Sequence, residues 1–517
     1  VRCLDAAAVG VCAPDGLTWD RLPCGSETVC FQGACRQSAC DEGGKSYVGC
    51  DFFALDLDQE REAAALPVYI TVSNAGPAPV TLQLTNIATL RTDVEAVEPG
   101  QVRSFALRDI QLEGSGVSRR SYRVRSDGPI TVHQFNPRNN RRQVFSNDAS
   151  LLLPSGALGQ TYRVLGWPTT AFGDGTAFAR ASVAVVATRP GTVVTVTPST
   201  AVRAGGDVPA LPAGVPWTVA LDLGQVLTLE TGNVADADLS GTLVEASAPV
   251  AVFASHQCAN VPQAVPWCDH LEQQIIPVDA WGTTHVLARF QARGGEPDLW
   301  RVVPATGGTT LQTDPPIAGV HGRTLAAGEV LTFRTRQDAV LQASGPVSVM
   351  HFMVGSEMPA RGDDRPCERE VPDSGEGPPR EGSGDAVDGG DDDGEACAIP
   401  SEPSCAEGRT AIGDPAALLV VPPDQFLTDY LVLTPADYAR DWLTLVAPAT
   451  LDEVWLDDAP LSLEGAVAVG GWRILRVAVA AGPHRVRASA PVGVEAYGHD
   501  CNVSYAYPGG LQVESLR

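Results

Sequence analysis

Lysine is almost missing from this chain. Of 517 residues, 36 are Lys or Arg, yet Lys45 is the one lysine. A lysine nucleophile or Schiff base is therefore excluded everywhere except at Lys45. Basic charge as a whole is in short supply. The 62 Asp and Glu residues give a net charge of −26. Sequence-independent nucleic-acid binding needs clustered cations to displace counterions, and this balance argues against it. It argues equally against a basic patch held on anionic lipid. No apolar run approaches the ~18–20 residues of a membrane helix, and no charged-plus-apolar signal segment is present. The chemistry motifs are missing too: no G-x-S-x-G elbow, no H-E-x-x-H and no Walker loop. The eight histidines, His133, His256, His270, His285, His321, His351, His484 and His499, are scattered along the chain rather than gathered in one motif. These absences lower the expectation of an enzyme, and no cofactor is expected.

Cysteine, glycine and proline are plentiful. Thirteen cysteines point to an oxidising compartment. Seven of them, Cys3, Cys12, Cys24, Cys30, Cys35, Cys40 and Cys50, fall in the first 50 residues. The C-x2-C pairs of a zinc module are absent there, so residues 1–45 are expected to be a small disulfide-stapled module. The chain opens Val-Arg-Cys, which fits a processed or truncated start, and Cys3 so near that start is compatible with a lipid anchor.

Beyond residue 45 the chain repeats. A strand, a Pro/Gly turn and a second strand appear at Val72–Leu84, Val185–Val196, Val302–Gln312 and Leu445–Trp455. A second mark closes each repeat: Gly128-Pro-Ile-Thr-Val-His133, Ala248-Pro-Val-Ala-Val-Phe253, Gly345-Pro-Val-Ser-Val-Met350 and Ala490-Pro-Val-Gly-Val-Glu495. Gly100-Gln-Val, Gly224-Gln-Val and Gly328-Glu-Val precede three of them. The segments between are β-branched and alternate with period two, with turn signals every 8–12 residues. The spacing predicts an all-β chain of about four tandem antiparallel β-sandwich-like repeats at 46–145, 146–273, 274–358 and 410–517. A β-propeller-like assembly of the repeats is the structural alternative. Residues 359–409 interrupt the last interval. Arg361–Glu407 alone carries a net charge of −11, so an acidic, disordered insertion is expected there.

Few residues carry candidate chemistry. His256-Gln-Cys258 and Cys268-Asp-His270 place two His and two Cys in mirrored order. A tetrahedral zinc site is one reading. A Cys258–Cys268 disulfide, with both histidines on its rim, is the reading a secreted context favours. Cys405 is expected to pair with Cys501. The acidic run Asp385–Glu395 does not fit an EF-hand loop and reads as solvated charge. Asp56, Asp58, Glu60 and Glu62 alternate along an extended segment, as on one strand face. Arg361-Gly-Asp363 is too short to carry weight, and Asn502-Val-Ser504 fits a glycosylation acceptor pattern without an expectation that it is modified.

The block His256-Gln-Cys-Ala-Asn-Val-Pro262 followed by Trp267-Cys-Asp-His-Leu-Glu-Gln-Gln-Ile-Ile-Pro-Val-Asp-Ala-Trp-Gly282 closely resembles the N-terminal domain of the IgG Fc-binding protein family. Val132-His-Gln-Phe-Asn-Pro137, Phe145-Ser-Asn-Asp-Ala-Ser-Leu-Leu-Leu-Pro154, Asp414–Pro423 and Tyr497–Gly510 look like further blocks of it. The likeness covers about residues 45–510, and the Cys-rich start looks like the bacterial surface-protein versions. The resemblance implies a secreted or cell-surface, non-catalytic binding or adhesion protein, extracellular or on the outer cell surface. Its partner would be an extracellular protein or glycan. It transfers no binding residue. The alternatives from the sequence are a structural envelope or matrix spacer, and an extracellular hydrolase whose site escapes recognition.

Overall fold

The computed structural model describes residues 2–5, 8–12, 19–23, 28–31, 34–37, 40, 45–74, 76–137, 146–358, 413–436, 438–500 and 502–516. The acidic run, Arg361-Gly-Asp363, Cys405 and Cys501 lie outside them. The described chain is almost entirely antiparallel β, as its period-two patterning requires. Among the described residues no helix is long and apolar enough to cross a membrane.

One strand plan recurs four times. In the first unit, Gly49–Ala54, the first half of Tyr122–Asn136, Val80–Asn86 and Thr92–Val97 make one sheet. Val102–Leu107, Val68–Ser73, the second half of Tyr122–Asn136 and Asp148–Leu152 make the other. The long strand thus belongs to both sheets. Leu243–Ala259 plays this part in the second unit and Gly482–Asp500 in the fourth. In the third it is divided into Ala339–Ala343 and Val347–Met353.

The repeated Gly/Ala-Pro mark sits at the middle of each long strand. Proline has no N–H to give the ladder, so pairing breaks there and the strand passes from one sheet to the other. In the first unit the register shifts between Arg125 and Ile130, on either side of Pro129. The Gly-x-Val mark has an equally local cause. Gly100, Gly224 and Gly328 have φ of +72°, +72° and +74°, a left-handed turn that admits glycine without strain.

Each long strand turns back into a short inner strand: Asp148–Leu152, Asp269–Gln274, Ala416–Leu419 and Val503–Pro508. The four inner strands pack against one another in a closed circuit, first on second, second on third, third on fourth and fourth on first. The units are therefore sandwiches, and they are arranged about a common axis. Both sequence-level architectures capture part of this: sandwich units, propeller-like assembly. Spacing alone puts the strands 148–152 and 416–419 in the second and fourth repeats. They pair instead with the preceding long strand, because a closing strand completes its hairpin before the next unit begins.

The second and third units have cores of their own, built around Val183, Val185 and Leu229 and around Trp300, Val302 and Phe333. A larger apolar cluster runs from Tyr47 to Val513 and takes in residues of all four units. The ring is closed where residues 45–47 meet residues 511–513. Tyr47 N–H donates to the Leu511 carbonyl at 3.0 Å and Val513 N–H to Lys45 at 2.8 Å. Ahead of the ring, Arg2–Asp5, Ala8–Cys12 and Trp19–Pro23 form a three-stranded sheet, and Thr28–Phe31 pairs with Ala34–Gln37. The Cys40–Cys50 disulfide ties this module to the first strand of the ring.

Candidate functional site

Inner strands present their free edges to the axis. A buried, unpaired N–H is costly, so side chains must supply the missing acceptors. Asp148 does so for all four strands. Its carboxylate accepts N–H from Ala149 at 2.9 Å, Glu272 at 3.1 Å, Ala506 at 3.3 Å and Ala417 at 3.4 Å. Asp269 accepts from Asn147 at 2.6 Å, His270 at 2.8 Å and Ser504 at 3.3 Å. Gln273 donates to the carbonyls of Ala149 and Ala506. Burial pushes the carboxyls of Asp148 and Asp269 well above the usual range, against these N–H donors.

This polar axis carries four hairpin loops at one end of the ring, each between a long strand and its inner strand. They join Asn136 to Asp148, Ala259 to Asp269, Met353 to Ala416 and Asp500 to Val503. They touch. Gly355 N–H donates to the Val261 carbonyl at 2.7 Å, and Gly413 N–H to Asp500 at 2.7 Å. The buried Arg293 binds the carbonyls of Val354 and Gly413, at 2.6 and 2.8 Å. Tyr438 O–H donates to Asn147 Oδ1 at 2.6 Å. The acidic insertion read from the sequence thus enters at the third of four equivalent hairpins, between the third long strand and its own inner strand.

In the second hairpin Cys258 and Cys268 are bonded, with S–S of 1.95 Å. Two joined sulfurs offer no thiolate, so the zinc reading of His256, Cys258, Cys268 and His270 lacks half its ligand set. The histidines are not on a rim; both are fully buried. His256 places Nε2 3.0 Å from the Pro168 carbonyl and accepts the Cys258 N–H at 3.2 Å through Nδ1. Burial pushes its pKa down to about 3, so it is neutral. The Glu60 carboxylate also lies within 4.8 Å of both sulfurs, but the same bond removes them as ligands.

Beside the disulfide stands Trp267. It is 54% exposed, has φ of +70° and donates its indole N–H to Glu357 of the third hairpin at 3.2 Å. A bulky residue with positive φ is uncommon and tends to mark a functional constraint. The sequence does not single out Trp267 on its own. Its neighbour Cys268 is the signal that could have found it.

The acidic pairs fall elsewhere. Asp56 and Asp58 are buried at the junction of the first two units rather than displayed on a strand face. Asp58 accepts from Gly114 N–H and from Gln257, which also binds Glu230. Arg203 contacts Glu230 at 2.8 Å. Burial, with Glu272 and Asp58 nearby, pushes Asp56 up to about 8. Burial and Asp58 push Glu230 up to about 7. A His–carboxylate pair exists as well: His351 Nε2 lies 2.8 Å from Asp298. The imidazole is sandwiched between Trp300 at 3.7 Å and Phe290 at 3.8 Å and has no exposure. Two clefts, of about 460 and 330 Å³, lie at the junctions of the third unit with the fourth and with the second. The larger is lined by one carboxylate, Asp338, tied to Arg476, and the smaller by none. Neither brings two carboxylates or a His–carboxylate pair together.

The description "IgGFc binding protein" belongs to the family model that matches residues 148–498, from the hub Asp148 to the last long strand. Human IgGFc-binding protein is 29% identical over 288 residues, which is 56% of this chain and 5% of that protein. The chain thus spans a small fraction of that relative's length. With the match covering more than half of its residues, three of the four inner strands among them, this chain belongs to the IgGFc binding protein family.

Proposed function

We propose that the chain is a secreted or cell-surface, non-catalytic binding protein that presents the hairpin end of its ring to an extracellular protein or glycan. One observation carries the reading. The described ends of four equivalent hairpins, very different in length, meet at one end of the ring, with an exposed, conformationally strained Trp267 among them. Variable loops on a fixed scaffold are where binding residues concentrate, and an exposed aromatic anchor is the usual energetic centre of such a surface. The name of the human relative adds an immunoglobulin Fc to the partners worth testing. Asp56, Asp58, Glu230 and the sealed His351–Asp298 pair line neither of the two clefts, which supports a non-catalytic reading.

The full chain is to be screened against arrays of glycans and extracellular proteins, with an Fc fragment among them. Saturable binding to at least one member is expected, weakened roughly tenfold or more by Trp267→Ala, as for a hot-spot tryptophan. No binding on any array would leave the spacer reading in its place. Turnover of an arrayed glycan or protein would replace it with the hydrolase.

A further inference from the structure

The second sheet of each unit ends in an edge strand: Val102–Leu107, Val226–Glu230, Leu331–Thr335 and Trp472–Val479. Two of these edges carry an added short strand. Gly116–Ser118, from the first unit, lies antiparallel on Val226–Thr228 of the second. Val467–Val469 lies antiparallel on Trp472–Ile474 in the fourth. Among the described residues Leu331–Thr335 carries none and pairs on one side alone, with Asp298–Val302.

The smaller cleft runs beside this bare edge. Thr332, Phe333 and Arg334 form one wall, and Trp167, Pro168, Pro262 and Gln263 the other. At the next junction the larger cleft is lined by the added strand Val467–Val469 itself. Thr332 and Arg334 point outward and are exposed, while Phe333 and Thr335 are buried. Arg334 joins no ion pair among the described residues. The first unit's edge is also bare among the described residues, but there Arg103 is committed to Ala96, Glu95 and the face of Phe105.

We propose that Leu331–Thr335 is a docking edge for an extended segment of a partner protein, added as a fifth strand with an acidic side chain opposite Arg334, on the face that Arg301 and Trp167 share, and small apolar residues on the Phe333 face. The free N–H and C=O groups of an edge strand are a ready template for a peptide. The chain itself uses this template at two equivalent edges. The charge of Arg334 selects the facing residue, because opposite charges across a strand pair attract. Apolar side chains then alternate onto the opposite face, beside Phe333. This goes beyond the reading of the hairpin end: it does not use Trp267, and of the hairpin loops it uses Pro262 and Gln263 alone.

The test uses the full chain and a fluorescein-labelled Thr-Val-Glu-Val-Thr peptide, followed by fluorescence polarisation. Saturable binding is expected. Backbone N-methylation of one alternate set of residues should weaken it at least about tenfold, and methylation of the other set should not, because only one set faces the edge. The Thr-Val-Lys-Val-Thr peptide should bind roughly fivefold more weakly, and Arg334→Glu should reverse that preference. Equal tolerance of both methylated sets, an unchanged preference in R334E, or no peptide binding would each overturn the proposal. An acidic oligosaccharide that binds through Arg334 when no peptide does would also overturn it. Trp267→Ala is expected to leave the peptide bound, so failure at the hairpin end and failure at this edge are read separately.

Discussion

Asp148 holds the axis through four backbone N–H groups, three of them from strands more than 120 residues away. Asp148→Ala strands those donors in a buried place, at about 1–3 kcal/mol for each unsatisfied group. A fall in the urea midpoint equivalent to about 3 kcal/mol or more is expected, with Asp148→Asn intermediate because its amide keeps one acceptor oxygen. An Asp148→Ala chain no weaker than a surface variant would remove the hub role. In the sequence, Asp148 is one letter of the block Phe145–Pro154. Nothing local marks it, because the groups it serves arrive from other units. Trp267 was equally silent: its exposure and its bond to Glu357 depend on the meeting of two hairpins.

At the scale of the element, the repeated marks were legible because their causes are local. Proline breaks a ladder and glycine takes a positive φ wherever they occur. Another recurring device joins the second and fourth units. Tyr162 accepts Gly159 N–H at 2.9 Å and donates to Val250 at 2.7 Å. Tyr430 accepts Leu427 N–H at 2.8 Å and donates to Val492 at 2.5 Å. Each hydroxyl pins the first strand of its unit to the bend of the long strand. Tyr162→Phe and Tyr430→Phe are each expected to cost about 1 kcal/mol, and to add in the double variant because the sites share no partner. Chemical denaturation of the three variants measures this. The Cys258–Cys268 bond belongs to the same scale. Replacing both cysteines by serine should cost about 2–3 kcal/mol by freeing the loop in the unfolded chain, seen as a lower melting temperature with an unchanged far-UV spectrum.

The molecule as a whole buries many carboxyl groups. Burial pushes Asp56 and Glu495 up to about 8 and Asp414, Asp441 and Glu230 up to about 7. These carboxyls hold a proton in the folded state that the unfolded chain has released near pH 4. Their contribution is therefore complete below pH 4 and is lost as pH rises toward 8. Four buried histidines act in the opposite sense. Burial pushes His133, His256, His285 and His499 down to about 3, so their share is complete above about 6.5 and is lost as pH falls through 3. Above pH 6.5 the acids act without opposition. The melting temperature is expected to drop between pH 6.5 and 8.5, and Glu495→Gln should flatten that slope. A melting temperature that rises across this interval would show that the buried carboxyls are ionised and paired.

The net charge of −26 divides in the same way. The 361–407 segment supplies −11 of it, and part of the remainder is buried between units rather than spread over the surface. By itself the sequence determined the strand content, the four-fold repeat, the turn glycines and the prolines at each bend, all properties that a residue carries into any context. It placed Cys258 and Cys268 close enough to bond. Only the tertiary structure decided that the inner strands form a ring, that Asp56 and Asp58 go inside, that four hairpins share one end, and which edge strands are covered. Those outcomes depend on contacts between units far apart in the chain, where a free N–H or an exposed edge becomes a cost or an opportunity only once its neighbour is in place.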